Sequence, residues 1–317
     1  LESLSDLLKD PSNRNLLRQA EMNSLGVMSD PAVIKFRAKH PELDEKTLKL
    51  NMNRLYQYAQ EYNHCTHCPG LDQCPNDMQG HYTKLSVEGV NGSQYVNDHK
   101  VPCKKLTARE AELKIRKRIR CMYIDEKVLE EGFSAKEILT MDAKRAESAH
   151  RVLSYVEKTK LKGLQSQGLY LAGNFGTGKT YLMSYLLNEL AKEGFTGAIV
   201  FMPDFVEDIK RMFQDDKKMF ETIELLKETD LLILDDLGSE NLNAWFRDHV
   251  LASILNYRMG RKPTFYTSNH DFEWLQKHLS YTKDGNEENK GARLMERIKP
   301  YVEYIKLEGE NKRFRNK

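Results

Sequence analysis

The sequence predicts an α/β chain in two parts, a small α+β module followed by a larger domain with a parallel sheet between helices. Three observations carry this. The apolar run Gly168-Leu169-Tyr170-Leu171-Ala172 leads directly into a glycine-rich stretch, 173–180, and then into a segment of helical periodicity. A second apolar run, Leu231-Leu232-Ile233-Leu234, ends in Asp235-Asp236, the pattern of a strand covered on both faces of a parallel sheet. All five cysteines precede residue 122, which sets the first part apart from the second.

The 317 residues suffice for two compact domains, and a hydrophobic content of 40% with 30% charged residues fits a chain that buries a core. With 49 Lys and Arg against 47 Asp and Glu, the net charge of +2 excludes a protein that holds nucleic acid by bulk charge alone. No apolar run approaches the roughly 20 residues of a membrane span. The opening Leu-Glu-Ser-Leu-Ser-Asp has neither a basic nor an apolar signal region, so a cytoplasmic protein is expected, with a few residues upstream of Leu1. Cysteines in such a compartment point to metal rather than to disulfides.

Residues 1–62 read as helices carrying Leu4, Leu7, Leu8, Leu16, Leu17, Val33, Ile34 and Phe36, punctuated by Asp10-Pro11, Asp30-Pro31 and His40-Pro41. Proline fits a first helical turn and not an interior, so each pair ends one helix and opens the next. The last of them, Asp44 to Glu61, aligns Leu48, Met52, Leu55, Tyr56 and Ala59 on one stripe. Cys65-Thr66-His67-Cys68 then forms a Cys-x-x-Cys knuckle, and a tetrahedral Zn²⁺ requires two further ligands from elsewhere. Cys103 supplies one; the other is His81 or Cys74, between which spacing does not choose. Residues 82–106 alternate around Asn91-Gly92, which predicts a hairpin leading from His81 to Cys103.

From Arg109 to Arg120 the chain reads as a strongly basic helix, and the domain boundary is expected within a basic linker at 107–120, which divides a module of residues 1–106 from a domain of residues 121–317. Met122 to Lys160 reads as amphipathic helix, with Phe133 and Ser134 at a capping turn.

Gly173, Asn174, Phe175, Gly176, Thr177, Gly178, Lys179 and Thr180 form the pattern G-x-x-x-x-G-K-T between strand and helix. Nucleotide phosphates need bare backbone N–H groups and a helix amino end; glycine permits the close approach, Lys179 reaches the β- and γ-phosphates, and Thr180 offers a hydroxyl to Mg²⁺. Leu182, Met183, Leu186, Leu187 and Leu190 would bury the following helix. Ala198 to Met202 reads as the next strand. A helix then runs from Pro203 to Lys227, where Phe205, Phe213 and Phe220 mix with Lys210, Arg211, Lys217 and Lys218, a face that suits core packing or single-stranded nucleic acid. Asp235 would hold Mg²⁺ and Asp236 would orient or deprotonate the attacking water. A third strand, Pro263 to Asn269, ends in a polar residue, Asn269, that can bond the γ-phosphate or the water.

These motifs, together with Ala292-Arg293-Leu294-Met295-Glu296-Arg297-Ile298 and Gly309-Glu310-Asn311-Lys312-Arg313, resemble the bacterial replicative-helicase loaders, most closely the DnaI type. The resemblance covers nearly the whole chain. It implies an AAA+ P-loop ATPase domain at 121–317 and a zinc-bearing helicase-interaction domain at 1–106. It further implies that ATP, Mg²⁺ and Zn²⁺ are the cofactors, with Asn269 as polar sensor. Arg297, ahead of Arg293, becomes the arginine finger reaching a neighbouring subunit, and Arg313 the second sensor. The implied partners are the hexameric replicative helicase, single-stranded DNA, further copies of the chain and other primosome or initiator proteins. An IstB-like transposition accessory protein shares the ATPase pattern, and a regulatory scaffold with structural ATP would share both halves.

Overall fold

The computed structural model describes residues 25–90, 93–124, 143–212 and 215–311. Leu4, Leu7, Leu8, Leu16, Leu17, Asn91, Gly92, Phe133, Ser134, Phe213 and Arg313 therefore lie outside the described residues. The chain divides into two compact units, Leu1–Glu112 and Leu113–Lys317.

In the first unit, α1 (Pro31–Lys39), α2 (Glu45–Leu50) and α3 (Met52–Thr66) pack with the antiparallel hairpin of β1 (His81–Val90) and β2 (Ser93–Pro102). The Asp30 carboxylate caps α1 by accepting from Ala32 N, and Pro31 fills the first turn, as the Asx-Pro pair predicts. The continuous helix expected from Asp44 to Glu61 is instead two helices broken at Asn51. The Asn51 amide donates to Thr47 O at 2.8 Å, so its side chain competes with the helical ladder. Of the expected stripe, Leu48, Leu55 and Ala59 are buried with Val33, Phe36, Leu85 and Val96, whereas Tyr56 and Ile34 face solvent. Glu61 is 2% exposed and spans the unit, accepting from Thr83 N on β1 and from the Lys100 ammonium on β2.

The stretch expected as a basic linker forms most of α4 (Lys104–Arg118) and the start of β3 (Ile119–Met122). The predicted helix therefore stops two residues short of Arg120: Ile119 is buried on the edge of the second unit's sheet, and alternation suits an edge strand there. Nor does a helix begin at Met122; the next one described is α5 (Ala143–Lys162).

The second unit contains, besides β3, the strands β4 (Gly168–Ala172), β5 (Gly197–Phe201), β6 (Leu231–Asp235), β7 (Thr264–Ser268) and β10 (Val302–Lys306), with a separate two-stranded ribbon of β8 (Tyr281–Thr282) and β9 (Gly285–Asn286). Apart from the ribbon they form a six-stranded, fully parallel sheet in the order β10-β4-β7-β6-β5-β3. Every residue of β4, β6 and β7 is buried, the consequence of apolar layers on both faces. One layer holds α5 and α6 (Lys179–Lys192), through Val152, Val156, Met183, Leu186, Leu187 and Leu190. The other holds α7 (Met202–Arg211), α8 (Asp216–Glu228), a π-helical turn at Phe246–Leu251 with α9 (Ala252–Arg258), α10 (Phe272–Ser280) and α11 (Glu288–Ile298). Full burial of each large aliphatic side chain contributes about 1.5–3 kcal/mol, so both faces fix the strands firmly. The helix expected from Pro203 to Lys227 is split into α7 and α8, with Asp215 capping the second.

The chain leaves β4 and returns as β5 beyond β7 and β6, so the connections diverge on either side of β4. That divergence opens a crevice at the carboxyl ends of β4, β6 and β7, where α/β sheets bind ligands.

Candidate nucleotide site and cysteine cavity

Three strand ends meet in the crevice. After Ala172 the loop 173–178 turns into α6, with Gly176 at φ 69° and Gly178 at φ 95°, conformations open to glycine. The register that pairs Leu171 with Thr267 and Leu234 with Tyr266 brings Asp235 alongside Thr267. The Thr180 hydroxyl donates to Asp235 Oδ1 at 2.9 Å and Oδ2 at 3.1 Å, and the Thr267 hydroxyl donates to Oδ1 at 2.7 Å. Burial raises the Asp235 carboxyl above its ordinary range, the two hydroxyls pull it back, and neighbouring Asp236 raises it again.

Asp236 adopts φ 57°, an uncommon conformation for a residue with a side chain, and its N–H donates to the Thr267 hydroxyl at 2.9 Å. Its carboxylate accepts from Asn269 Nδ2 at 2.8 Å, while Asn269 Oδ1 accepts from the Lys179 ammonium at 2.7 Å. Lys179 also donates to Gly173 O at 2.8 Å and Asn174 O at 3.0 Å. Thus Lys179, Asn269 and Asp236 on one side and Asp235 and Thr180 on the other are joined through Thr267 into one hydrogen-bonded chain across three strand ends. They line a cavity of about 480 Å³ together with Phe175, Gly176, Gly178, Tyr181, Phe201 and Thr267. Thr177 is buried and donates to Asn174 O, closing the loop on itself. Thr267 is the residue that sequence reading passed over; its signal was its place two positions before Asn269 on a buried strand.

Arg293 and Arg297 lie on α11 and are not among the residues lining this cavity. Arg297 donates to Asn256 Oδ1 at 3.4 Å and to Arg293 O at 2.9 Å, so it is held at the surface by its own helix and by α9.

In the first unit Cys65, Cys68, Cys74 and Cys103 line a single cavity of about 540 Å³, whose wall also includes His81, Tyr58 and Tyr62. Donors approach each sulfur: Asn76 Nδ2 at 3.7 Å from Cys65, Lys105 Nζ at 3.3 Å from Cys68, Gly80 N at 3.4 Å from Cys74 and Leu106 N at 3.4 Å from Cys103. The Gly70 N–H, and then Lys105, hold the Cys68 thiol below its ordinary range. Desolvation raises that of Cys65 against the Asn76 amide, and the thiols of Cys68, Cys74 and Cys103 add to the rise. The His81 ring faces Gln79 O at 3.1 Å. Among the described residues no group of three or more His, Cys, Asp or Glu side chains stands in a metal-holding arrangement. Four sulfurs from three segments share one cavity, with N–H groups directed at them.

Two family models match, one after the other along the chain. Residues 1–91 match the one described as primosomal protein DnaI N-terminus, and residues 101–317 the one described as IstB-like ATP binding protein. Over 290 residues the chain is 34% identical to the replicative helicase loader DnaI of Bacillus subtilis (strain 168), covering 90% of this chain and 91% of that protein. The chain belongs to the DnaI family of replicative helicase loaders. A crystal structure of DnaI superposes with a TM-score of 0.52 at 33% identity, covering 63% of this chain and all of that one. A putative primosome component from Streptococcus pyogenes serotype M3 gives 0.51 at 31% identity, covering 64% and 99%. The expected AAA+ class is thereby met by a DnaI-family ATP-binding domain on a parallel sheet. No helix among the described residues is long and apolar enough to cross a membrane.

Proposed function

We propose that this DnaI-family protein is an ATP-dependent loader of the hexameric replicative helicase, acting on single-stranded DNA at the initiation of replication. The observation that carries the reading is the Lys179–Asn269–Asp236 chain beside Thr180 and Asp235, in a protein whose family likeness spans both units.

In this reading the backbone N–H groups of Gly176–Thr180 receive the phosphates, and Lys179 exchanges its contacts with Gly173 O and Asn174 O for phosphate oxygens. Thr180 and Asp235 would hold Mg²⁺, which when bound would neutralise charge on the phosphates. Asp236 orients the attacking water and accepts its proton. Asn269 touches both Lys179 and Asp236, so its amide transmits the presence of the γ-phosphate to the water-binding carboxylate. Arg297, with Arg293 as the less favoured residue, completes the charge in a neighbouring subunit's site, which ties hydrolysis to assembly. Arg313 would act as second sensor in cis. The surface of α8, with Lys217, Lys218 and exposed Phe220, has the cations and aromatic face that single-stranded DNA recruits.

Residues 1–106 form the helicase-interaction domain in this reading, closed by Zn²⁺. Cys65, Cys68 and Cys103 are three of its ligands. Cys74 or His81 is the fourth: both line the cavity, and the bond from His81 Nδ1 to Gln79 O leaves Nε2 free to take a metal. The match of residues 1–91 to a DnaI amino-terminal model favours the loader over a transposition accessory protein.

Co-purification of the full chain with a hexameric replicative helicase, with ATP turnover measured with and without single-stranded DNA, tests the reading. A complex and DNA-dependent turnover are expected. Capture of a transposase in place of the helicase would overturn it, and turnover indifferent to DNA and to Arg297→Ala would reduce ATP to a structural ligand.

A further inference from the structure

The phosphate loop has a roof. After β10 the chain does not leave the sheet: Leu307 N donates to Ala172 O at 2.6 Å, Leu307 is 1% exposed, and residues 307–311 continue along the glycine-rich loop. A side chain on Gly173 would collide with the carbonyl oxygen of Leu307, and one on Gly176 with Asn311 Oδ1. Both positions fall far inside van der Waals contact. Gly173 is thus glycine for a reason that phosphate binding alone does not supply, since the backbone of a strap of the same chain is seated against it, and the Asn311 side chain lies over Gly176.

Helix α5 holds this strap. The Ser148 hydroxyl donates to Lys306 O at 2.9 Å. One turn earlier, Arg145 is 4% exposed and donates from Nη2 to Glu310 O at 2.5 Å. The guanidinium is packed so closely under the strap that a Cβ on Gly309, itself at φ 147°, would lie 2.5 Å from Arg145 Nε. Its other nitrogen, Nη1, stands 3.6 Å from where a Cβ on Gly178 would be. Gly178 lines the nucleotide cavity and begins α6, whereas Arg145 does not line that cavity. One buried cation therefore grips the carboxyl-terminal strap, and the strap in turn lies against the phosphate loop at Gly173 and Gly176.

We propose that Arg145 is a positioning residue for the phosphate loop. It holds the strap 307–311 against Gly173 and Gly176, so that the loop keeps its phosphate-receiving shape only while the strap is seated. The residue acts through the loop and does not touch nucleotide. Displacement of the strap by a bound partner would loosen the loop and release nucleotide, which makes the strap a route for regulating the site. The inference rests on the ATP-binding reading of Gly173–Thr180 for its effect on affinity, and on geometry alone for its effect on the loop.

The full-length protein tests it in two arms. In nucleotide-free protein, amide hydrogen exchange at residues 173–180 is expected to rise at least tenfold in Arg145→Met, with exchange in β6 and β7 unchanged; wild-type exchange in the loop overturns the tether. In the second arm, Arg145→Met and Gly309→Ala should each raise the KM for ATP about tenfold and leave kcat at saturating ATP within twofold. The double variant should add little, because both remove one contact. Unchanged KM with kcat falling in step with the folded fraction, or fully additive losses, would leave Arg145 a packing residue only. Gly309→Ala keeps the test alive should Arg145→Met fail to fold. A wild-type protein that binds no ATP would sink the nucleotide reading, while the exchange arm still decides the tether.

Discussion

The nucleotide cavity and the cysteine cavity are of similar size, about 480 and 540 Å³, and each draws residues from separate segments of chain. They differ in what holds those segments together. In the first, strand register and two apolar layers deliver Ala172, Asp235 and Ser268 to one edge, and the polar side chains beyond them already bond to one another. In the second, the hairpin register sets His81 opposite Pro102 and so returns Cys103 toward the knuckle, but the thiols depend on a much smaller core around Leu55 and Leu85. The nucleotide site is built by the fold, whereas the thiol site is expected to help build its fold. A small unit with a thin core gains most from a bound metal.

The largest effect expected from this difference is on the first unit. Cys65→Ser should abolish stoichiometric zinc in elemental analysis and unfold residues 1–106, since structural zinc sites contribute about 10 kcal/mol or more to folding at neutral pH. ATP binding in the second unit should persist. Retained structure without metal, read by circular dichroism, would equate the two sites and break the contrast. His81→Ala should leave zinc content unchanged if Cys74 is the fourth ligand.

Next in size is Lys179→Ala. Here the fold should survive, with an unaltered thermal transition, while turnover drops about 10²- to 10³-fold, the usual loss when one donor to a developing charge is removed. A matching loss of stability would mean that the Lys179 contacts to Gly173 O and Asn174 O are structural, and that this site too is held together by its own polar groups.

The contrast also accounts for what the sequence disclosed. A phosphate loop is local: eight consecutive residues between strand and helix carry the chemistry, so its position and the roles of Lys179 and Thr180 were legible. Asp235 was legible because an apolar run that stops abruptly at two acids marks the carboxyl end of a buried parallel strand, where ligands sit. Thr267 was not, because its bond to Asp235 follows from register between strands more than 30 residues apart. The same holds for Arg258, 1% exposed, whose guanidinium donates to the carbonyls of Leu226, Lys227, Thr229, Asp230 and Pro263 and so closes the end of α8. Nothing near Arg258 in sequence marks it as buried. The break at Asn51 went unread for a different reason, since periodicity ran straight through it while a side-chain hydrogen bond decided the backbone. The choice between Cys74 and His81 likewise depends on which way a ring turns, a property of tertiary packing.

A smaller effect probes the link between the nucleotide residues themselves. Asn269→Ala should leave ATP affinity within about twofold and slow hydrolysis about tenfold, or about 1.4 kcal/mol, because its amide joins Lys179 to Asp236 without contributing a charge. A shift in affinity instead of rate, seen by titration with a fluorescent ATP analogue, would place Asn269 in ground-state binding.

The smallest effect lies back in the first unit, where one buried pair stands in for part of the missing core. Burial opposes the charge on Glu61, but the Lys100 ammonium and the Thr83 N–H outweigh it, so its carboxyl titrates below the ordinary range. A lowered carboxyl pKa adds stability that is fully present above the unfolded value of about 4.3 and is lost as pH falls through the folded value. Glu61→Gln should therefore destabilise the unit by about 1 kcal/mol at pH 7, below the loss from breaking a fully buried pair, because the amide keeps the bond from Thr83 and Lys100 remains 29% exposed and screened. In chemical denaturation of the zinc-loaded protein at fixed pH values, the gap between wild type and variant should narrow from pH 5 downward. A gap independent of pH would show that Glu61 acts through shape and hydrogen bonding alone.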